Sequence, residues 1–189
     1  MTPTVDALII AKDNEQTIAR AVASVRERVE RVLVVVDPVT KDGTRERALE
    51  AGAQVEEAAP FVDFATARND AIERARADYV VMVDSDDALA FTSAFRGWPS
   101  DSDAYSLRVV EGSYRWTRVL YFRPSLRFKG RAHEVLECGD GLPPEVPGIL
   151  YHRIGVPVVG LAAYDFSKQD TIAIVSQIPS GGTVLTLPS

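Results

Sequence analysis

Three carboxylates crowd into the tetrad Asp84-Ser85-Asp86-Asp87, directly after the apolar run Tyr79-Val80-Val81-Met82-Val83. Like charges this close repel one another and lose solvation, so the cluster is costly unless something offsets it. A divalent cation does so, because a hard cation takes carboxylate oxygens and shares phosphate oxygens with them. The apolar run reads as a strand buried on both faces, and the carboxyl end of such a strand is where open α/β sheets bind ligands. The blander role for the same residues is a helix N-cap followed by an acidic first turn. His133 and His152 are the only histidines, each a structural hydrogen-bonding residue or a ligand.

The elements that must position these groups alternate. Val5 to Ala11 is an apolar strand interrupted only by Asp6, and Val32 to Val36 is a second strand ending at Asp37-Pro38. Between them Asp13 or Asn14 is expected to cap a helix with Ile18, Val22, Val25 and Val29 at helical spacing. Asp42-Gly43-Thr44 opens a second helix, with Gly52 suited to the position after its end. A third strand spans Gln54 to Glu57, and Asp63 caps a helix from Phe64 to about Arg76, with Phe64, Ala71, Ile72 and Ala75 on one face. Strands alternating with helices predict a parallel sheet with right-handed crossovers. Beyond Asp87 the pattern turns antiparallel: strands at Ala104–Val110 and Ser113–Phe122 flank a turn at Glu111-Gly112. Short strands are expected at Arg127–Lys129 and Ile149–Tyr151, with a loop at Gly139–Gly148 and a helix at Ser167–Val175.

A chain of 189 residues with 46% hydrophobic and 25% charged residues fits one domain, 1–189, without a separating linker. It divides into a parallel half of nucleotide-binding type (1–90), a mixed, more antiparallel half (91–160) and a tail (161–189). The net charge of −6 argues against broad capture of nucleic acid. Arg115, Arg118, Arg123, Arg127, Lys129, Arg131 and Arg153 nevertheless concentrate late in the chain, and on one face they would suit a polyanionic partner. A single cysteine, no basic leader and no apolar stretch of about 20 residues point to the cytoplasm.

Read in order, these segments resemble the family-2 glycosyltransferases of the GT-A fold, in the bacterial and phage branch that uses nucleotide-diphosphate sugars. Ile9-Ile10-Ala11-Lys12-Asp13-Asn14-Glu15 resembles the family's first strand and turn. Val35-Val36-Asp37 with Asp42-Gly43-Thr44, and then Ala67-Arg68-Asn69, resemble its second strand and its alanine-arginine-asparagine helix. Asp84-Ser85-Asp86 resembles its DxD element, and Gly130-Arg131-Ala132-His133-Glu134 and Tyr151-His152-Arg153-Ile154-Gly155 are similar to its later segments. The resemblance implies an α/β fold, a Rossmann-like GT-A sheet flanked by helices with a mixed, more antiparallel C-terminal half. It implies Ala11, Asp13, Asn14, Asp37, Arg68, Asp84 and Ser85 as donor-binding residues and Asp86 with His152 as ligands of Mn²⁺ or Mg²⁺. Asp37 would accept from uracil N3–H, favouring a UDP-sugar.

Inverting transfer needs one carboxylate to take the acceptor hydroxyl's proton as its oxygen attacks C1, and Glu134 is the expected general base, with Asp87 and Glu137 behind it. The acceptor hydroxyl belongs to a glycan, a protein or a modified nucleic acid, and Tyr114, Trp116 and Tyr121 either stack on it or pack in the sheet. Two other functions fit parts of the pattern. A haloacid-dehalogenase-type phosphohydrolase would use Asp84 as nucleophile and Asp86 as acid/base. An inactive nucleotide-sugar or carbohydrate-binding module would keep the cleft without the chemistry.

Overall fold

The computed structural model describes residues 2–130 and 134–154. Four strands, β1 (Val5–Ala11), β2 (Arg31–Val36), β3 (Gln54–Glu57) and β4 (Tyr79–Met82), lie parallel in the order β3-β2-β1-β4. Every residue of β1 and β4 is buried, as two-faced apolar strands require. Asp6, the one polar residue in β1, is accommodated by a buried ion pair with Arg31 on the neighbouring strand, and it also accepts from the Arg76 N–H at 2.8 Å. The crossovers carry α1 (Ile18–Val25), α2 (Thr44–Glu50) and α3 (Phe64–Glu73). Their loops bring residues 12–17, 37–43 and 83–87 to one edge, the carboxyl ends of β1, β2 and β4.

The same sheet continues through the second half. β7 (Tyr114–Phe122) pairs antiparallel with β4, and β6 (Ala104–Glu111) forms a hairpin with β7. β10 (Glu145–His152) runs parallel to β6, and β5 (Ala88–Phe91) closes the edge antiparallel to β10, giving eight strands. A separate two-stranded ribbon joins β8 (Phe128–Lys129) to β9 (Val135–Leu136). Tyr79, Tyr105, Tyr121 and Trp98 pack ring against ring where the halves meet, with Tyr79 and Tyr121 stacked 4.9 Å apart. No helix among the described residues is long and apolar enough to cross a membrane.

Several expectations need correction. Helix α1 begins at Ile18 with Thr17 in the cap position, because Asp13 and Asn14 belong to a turn in which the Asn14 carbonyl accepts from Thr17 and Ile18. Val29 lies past the helix end. α3 ends at Glu73, short of Arg76, although Asp63 caps it as expected through the Thr66 N–H at 2.8 Å. Phe64 is 60% exposed and does not join the buried face of Ala71 and Ile72. β5 and β9 are strands that the sequence pattern did not reveal, and β10 starts at Glu145, inside the stretch expected to be loop. The expected helix at Ser167–Val175 and the tail from 161 lie outside the described residues.

Candidate active site

A cleft of about 670 Å³ opens at the carboxyl ends of β1 and β4. One wall is Ile10, Ala11, Lys12 and Asn14, the floor is Asp84, Ser85 and Asp86, and the far wall is Arg68, Arg118, Glu134 and Arg153. Phe61, Val62 and Phe64 form an apolar lip, with Val62 75% exposed.

The loops that build the first wall are fastened to each other. Asp13 takes a positive φ of 52°, a conformation that Asp tolerates better than most residues, and its Oδ1 accepts from the Lys41 N–H at 2.8 Å. The Asn14 N–H donates to Thr44 Oγ1 at 2.7 Å, and Asp42 accepts from the N–H groups of Glu15 and Thr44 at 2.9 and 3.0 Å. Asn14 Oδ1 then receives the Ser85 hydroxyl at 2.8 Å, tying the loop after β1 to the acidic turn after β4. A chain of polar contacts therefore runs from the start of α2 to the centre of the cleft.

The aspartates of the tetrad are treated differently by their surroundings. The Asp84 N–H donates to the Tyr151 hydroxyl at 2.8 Å. Its Oδ1 accepts from Arg68 Nη2 at 2.8 Å and its Oδ2 from Arg118 Nη1 at 3.2 Å. Burial pushes the Asp84 carboxyl up, but Arg68 and Arg118 outweigh it and hold the group below the usual carboxylate range. The Asp86 carboxylate makes no hydrogen bond or ion pair among the described residues, while its backbone carbonyl is held by Arg20 Nη2. Asp87 is 2% exposed, accepts from the Ile154 N–H at 2.9 Å and lies outside the cleft lining.

Glu134 reaches the cleft from the far wall, where its Oε1 lies 3.3 Å from both Arg68 Nε and Arg118 Nη2. The two arginines and the two acids Asp84 and Glu134 thus form a closed ring. Arg68 is buried within it and lies over the Phe128 ring, 5.5 Å from its centroid. Burial depresses the Arg68 guanidinium's pKa, but Asp84 and Glu134 raise it above the ordinary arginine value.

The cleft therefore gathers Ala11, Asn14, Arg68, Asp84, Ser85, Asp86 and Glu134. Three expected residues are not in its lining. Asp13 shapes the loop from behind. Asp37 is 1% exposed, with one oxygen accepting from the Val39 N–H at 3.1 Å, the other from the Phe61 N–H at 3.3 Å, and Lys12 Nζ 3.5 Å away. Burial raises its carboxyl, but those donors outweigh it and the pKa is lowered. His152 follows Tyr151 on β10, so strand alternation sends it to the opposite sheet face, in the cross-strand row of Val110 and Arg115. Burial and Arg115 lower its pKa to about 4.

The chief residues missed from the sequence are Arg118 and Tyr151. The sequence placed Arg118 only among the late basic residues and Tyr151 only within a family-like segment, and the local strand pattern gave neither a role in the site. Of the late basic residues, Arg118 and Arg153 line the cleft, whereas Arg123 pairs with Asp103, Lys129 with Glu137, and Arg127 with the carbonyls of Pro124 and Leu126; Arg131 lies outside the described residues.

Comparisons with known proteins speak to the family and the fold. Residues 6–93 match Glycosyl transferase family 2. That segment runs from Asp6 in β1 through β5 and takes in the whole acidic tetrad, so the resemblance read from the sequence holds for this half. A curated relative, the TPR repeat-containing protein Synpcc7942_0270 of Synechococcus elongatus, is 29% identical over 143 residues, 70% of this chain and 35% of that protein. The chain thus spans about a third of that relative's length. Among solved structures, the mannosyltransferase PcManGT from Pyrobaculum calidifontis, in complex with GDP-Man and Mn²⁺, aligns with a TM-score of 0.54 at 15% identity. The alignment covers 85% of this chain and 59% of that one, and it shows the shared GT-A fold. TarS 1-349 of S. aureus in complex with UDP-GlcNAc aligns with a TM-score of 0.48 at 17% identity, over 60% of this chain and 36% of that one.

Proposed function

We propose that this chain transfers a sugar from a nucleotide-diphosphate donor to an acceptor hydroxyl, with inversion at the anomeric carbon and with help from a divalent cation. The observation that carries the reading is the Asp86 carboxylate, which makes no hydrogen bond or ion pair among the described residues, in a cleft where Asp84 and Glu134 are held by arginine. An oxygen ligand of this kind suits Mg²⁺ or Mn²⁺. No group of three or more His, Cys, Asp or Glu among the described residues is arranged to hold a metal, so Asp86 would share the ion with donor phosphates and water. When bound, the cation supplies neutralisation of charge on the leaving diphosphate.

The remaining roles belong to the chain's own groups. Asn14 and Ser85 present their linked polar side chains to the donor, and Ala11 offers a small wall against which it can lie. Asp84, locked by Arg68 and Arg118, fixes the start of the acidic turn. Glu134 accepts the proton of the attacking hydroxyl. For the acceptor we favour a glycan. Tyr114 and Trp116 are 54% and 37% exposed, and Trp116 shares the cross-strand row of Val109 and Tyr151, on the face that carries Arg118. Stacked sugar faces suit such a platform, whereas Tyr121 is buried in the aromatic core. Recognition of uracil by Asp37 requires Lys12 to withdraw and one N–H to be released, so the base preference is tested by comparing UDP, CDP and GDP in wild type and Asp37→Ala.

The phosphohydrolase alternative needs an in-line nucleophile at Asp84, but both its oxygens are engaged by guanidinium groups. The deciding experiment incubates the protein with nucleotide sugars and Mn²⁺ or Mg²⁺, then follows nucleoside diphosphate release and the mass of candidate glycans. A glycan gaining one hexose unit of inverted configuration is expected. Retained configuration, or nucleotide binding with no turnover on any donor, contradicts the reading.

A further inference from the structure

Arg118 occupies a place in the site that neither acid could fill for itself. Its Nη1 lies 3.2 Å from Asp84 Oδ2 and its Nη2 lies 3.3 Å from Glu134 Oε1, so one planar group spans two carboxylates. Arg68 spans the same pair from the other side, through Nη2 at 2.8 Å to Asp84 and Nε at 3.3 Å to Glu134. The two arginines differ in accessibility: the Arg68 side chain is 5% exposed and the Arg118 side chain 30%. Arg68 is thus a buried support, and Arg118 forms the cleft-facing side of the ring. Both arginines meet Glu134 at Oε1, and Oε2 makes no hydrogen bond among the described residues.

We propose that Arg118 is a positioning residue for group transfer, which clamps Glu134 by one oxygen so that the other faces the acceptor hydroxyl. The inference rests on the reading of Glu134 as the general base. A glutamate side chain has three rotatable bonds, and an unclamped one spreads over several rotamers. Arg118 donates to Oε1 through Nη2 while its Nη1 is held by Asp84, so the donor is itself fixed in place and selects one of those rotamers, which a point-charge ammonium does less well. Because the same guanidinium holds Asp84, the base keeps register with the acidic turn beneath the donor. Misplacing a reacting group by about an ångström costs on the order of 10²-fold in rate, which sets the scale of the expected loss.

The test uses the full chain with UDP-GlcNAc and GDP-mannose as donors and Mn²⁺ present. It reads sugar-nucleotide turnover and, by calorimetry, the affinity for UDP or GDP with Mn²⁺. Arg118→Ala should lower kcat by about 10- to 100-fold and leave nucleoside diphosphate affinity within about threefold, well under the tenfold that 1.4 kcal/mol would bring. Arg118→Lys should fall between the two, and millimolar guanidinium ion should restore part of the Arg118→Ala rate. In a Glu134→Gln background, adding Arg118→Ala should have little further effect, since a residue acting through Glu134 has nothing left to position. Multiplicative losses in that double variant, or a loss of nucleotide affinity with kcat unchanged, would overturn the role of Arg118 while leaving the transferase reading intact. Absence of both binding and turnover in the wild type would overturn that reading and this role with it.

Discussion

Asp87 shows how one carboxylate can belong to the acidic tetrad and yet not to the cleft. Burial first, then the Asp84 and Asp86 charges, push its carboxyl up to about 6, against the lowering effects of the Ile154 N–H and of Arg153 3.9 Å away. A group whose folded pKa lies above its unfolded value of about 3.9 holds its proton more tightly in the native state. Its contribution is fully present below about pH 4 and is lost as pH rises towards 6 and beyond. Asp87→Asn keeps an acceptor for Ile154 and removes the charge, so it should stabilise the metal-free protein at pH 7.5 by up to about 2–3 kcal/mol and change little at pH 4. Denaturant titrations at the two pH values check this, and a variant less stable than wild type at pH 7.5 contradicts it. Asp37 has the opposite sign: its lowered pKa means stability present above about pH 4 and lost in acid. The sequence marked the tetrad by its crowded carboxylates, and Glu134 only through the segment that resembles the family. It could not show that Asp84 and Glu134 share two arginines, because residues 68, 84, 118 and 134 meet only in three dimensions. His152 was misplaced by one step of strand parity, which the run Tyr151-His152-Arg153 does not reveal.

The elements that carry the site depend on a few tight backbone contacts. Gly148 has φ of +80°, and a Cβ there would meet the Phe95 backbone N at 2.1 Å, while its carbonyl accepts from the Thr92 N–H at 2.8 Å. Neither side of that contact is the flexible end of a side chain, so Gly148→Ala must displace backbone. We expect a loss of more than about 2 kcal/mol in denaturant unfolding, together with weaker anchoring of Tyr151 under Asp84. An alanine variant as stable as wild type would show that β10 and the segment after β5 can part without cost. The parallel half was legible because β1, β2 and β4 are continuous apolar runs separated by helical periodicity. β5 and β9 were not, since four and two residues carry no period. Residues 145–148 of β10 were hidden by Pro147 and Gly148, which allow pairing only through a register shift between Glu145 and Leu150.

Over the whole molecule, charge argues about partners. The net charge is −6, and Arg108, Arg123 and Lys129 of the second half are each paired with an acid. Duplex DNA should therefore bind no more tightly than ordinary non-specific contacts, with Kd above about 10⁻⁶ M near physiological salt. A gel-shift titration showing much tighter binding would return a nucleic-acid acceptor to consideration. The central claim is narrower and rests on Asp86, whose carboxylate lines the cleft and makes no hydrogen bond or ion pair among the described residues. It is tested most directly by calorimetry of UDP and GDP with and without Mn²⁺, in wild type and Asp86→Ala. The account predicts at least about tenfold tighter binding with the ion in wild type, a difference of about 1.4 kcal/mol, and its disappearance in a variant that melts no lower. The same metal-dependent affinity in both proteins would contradict it.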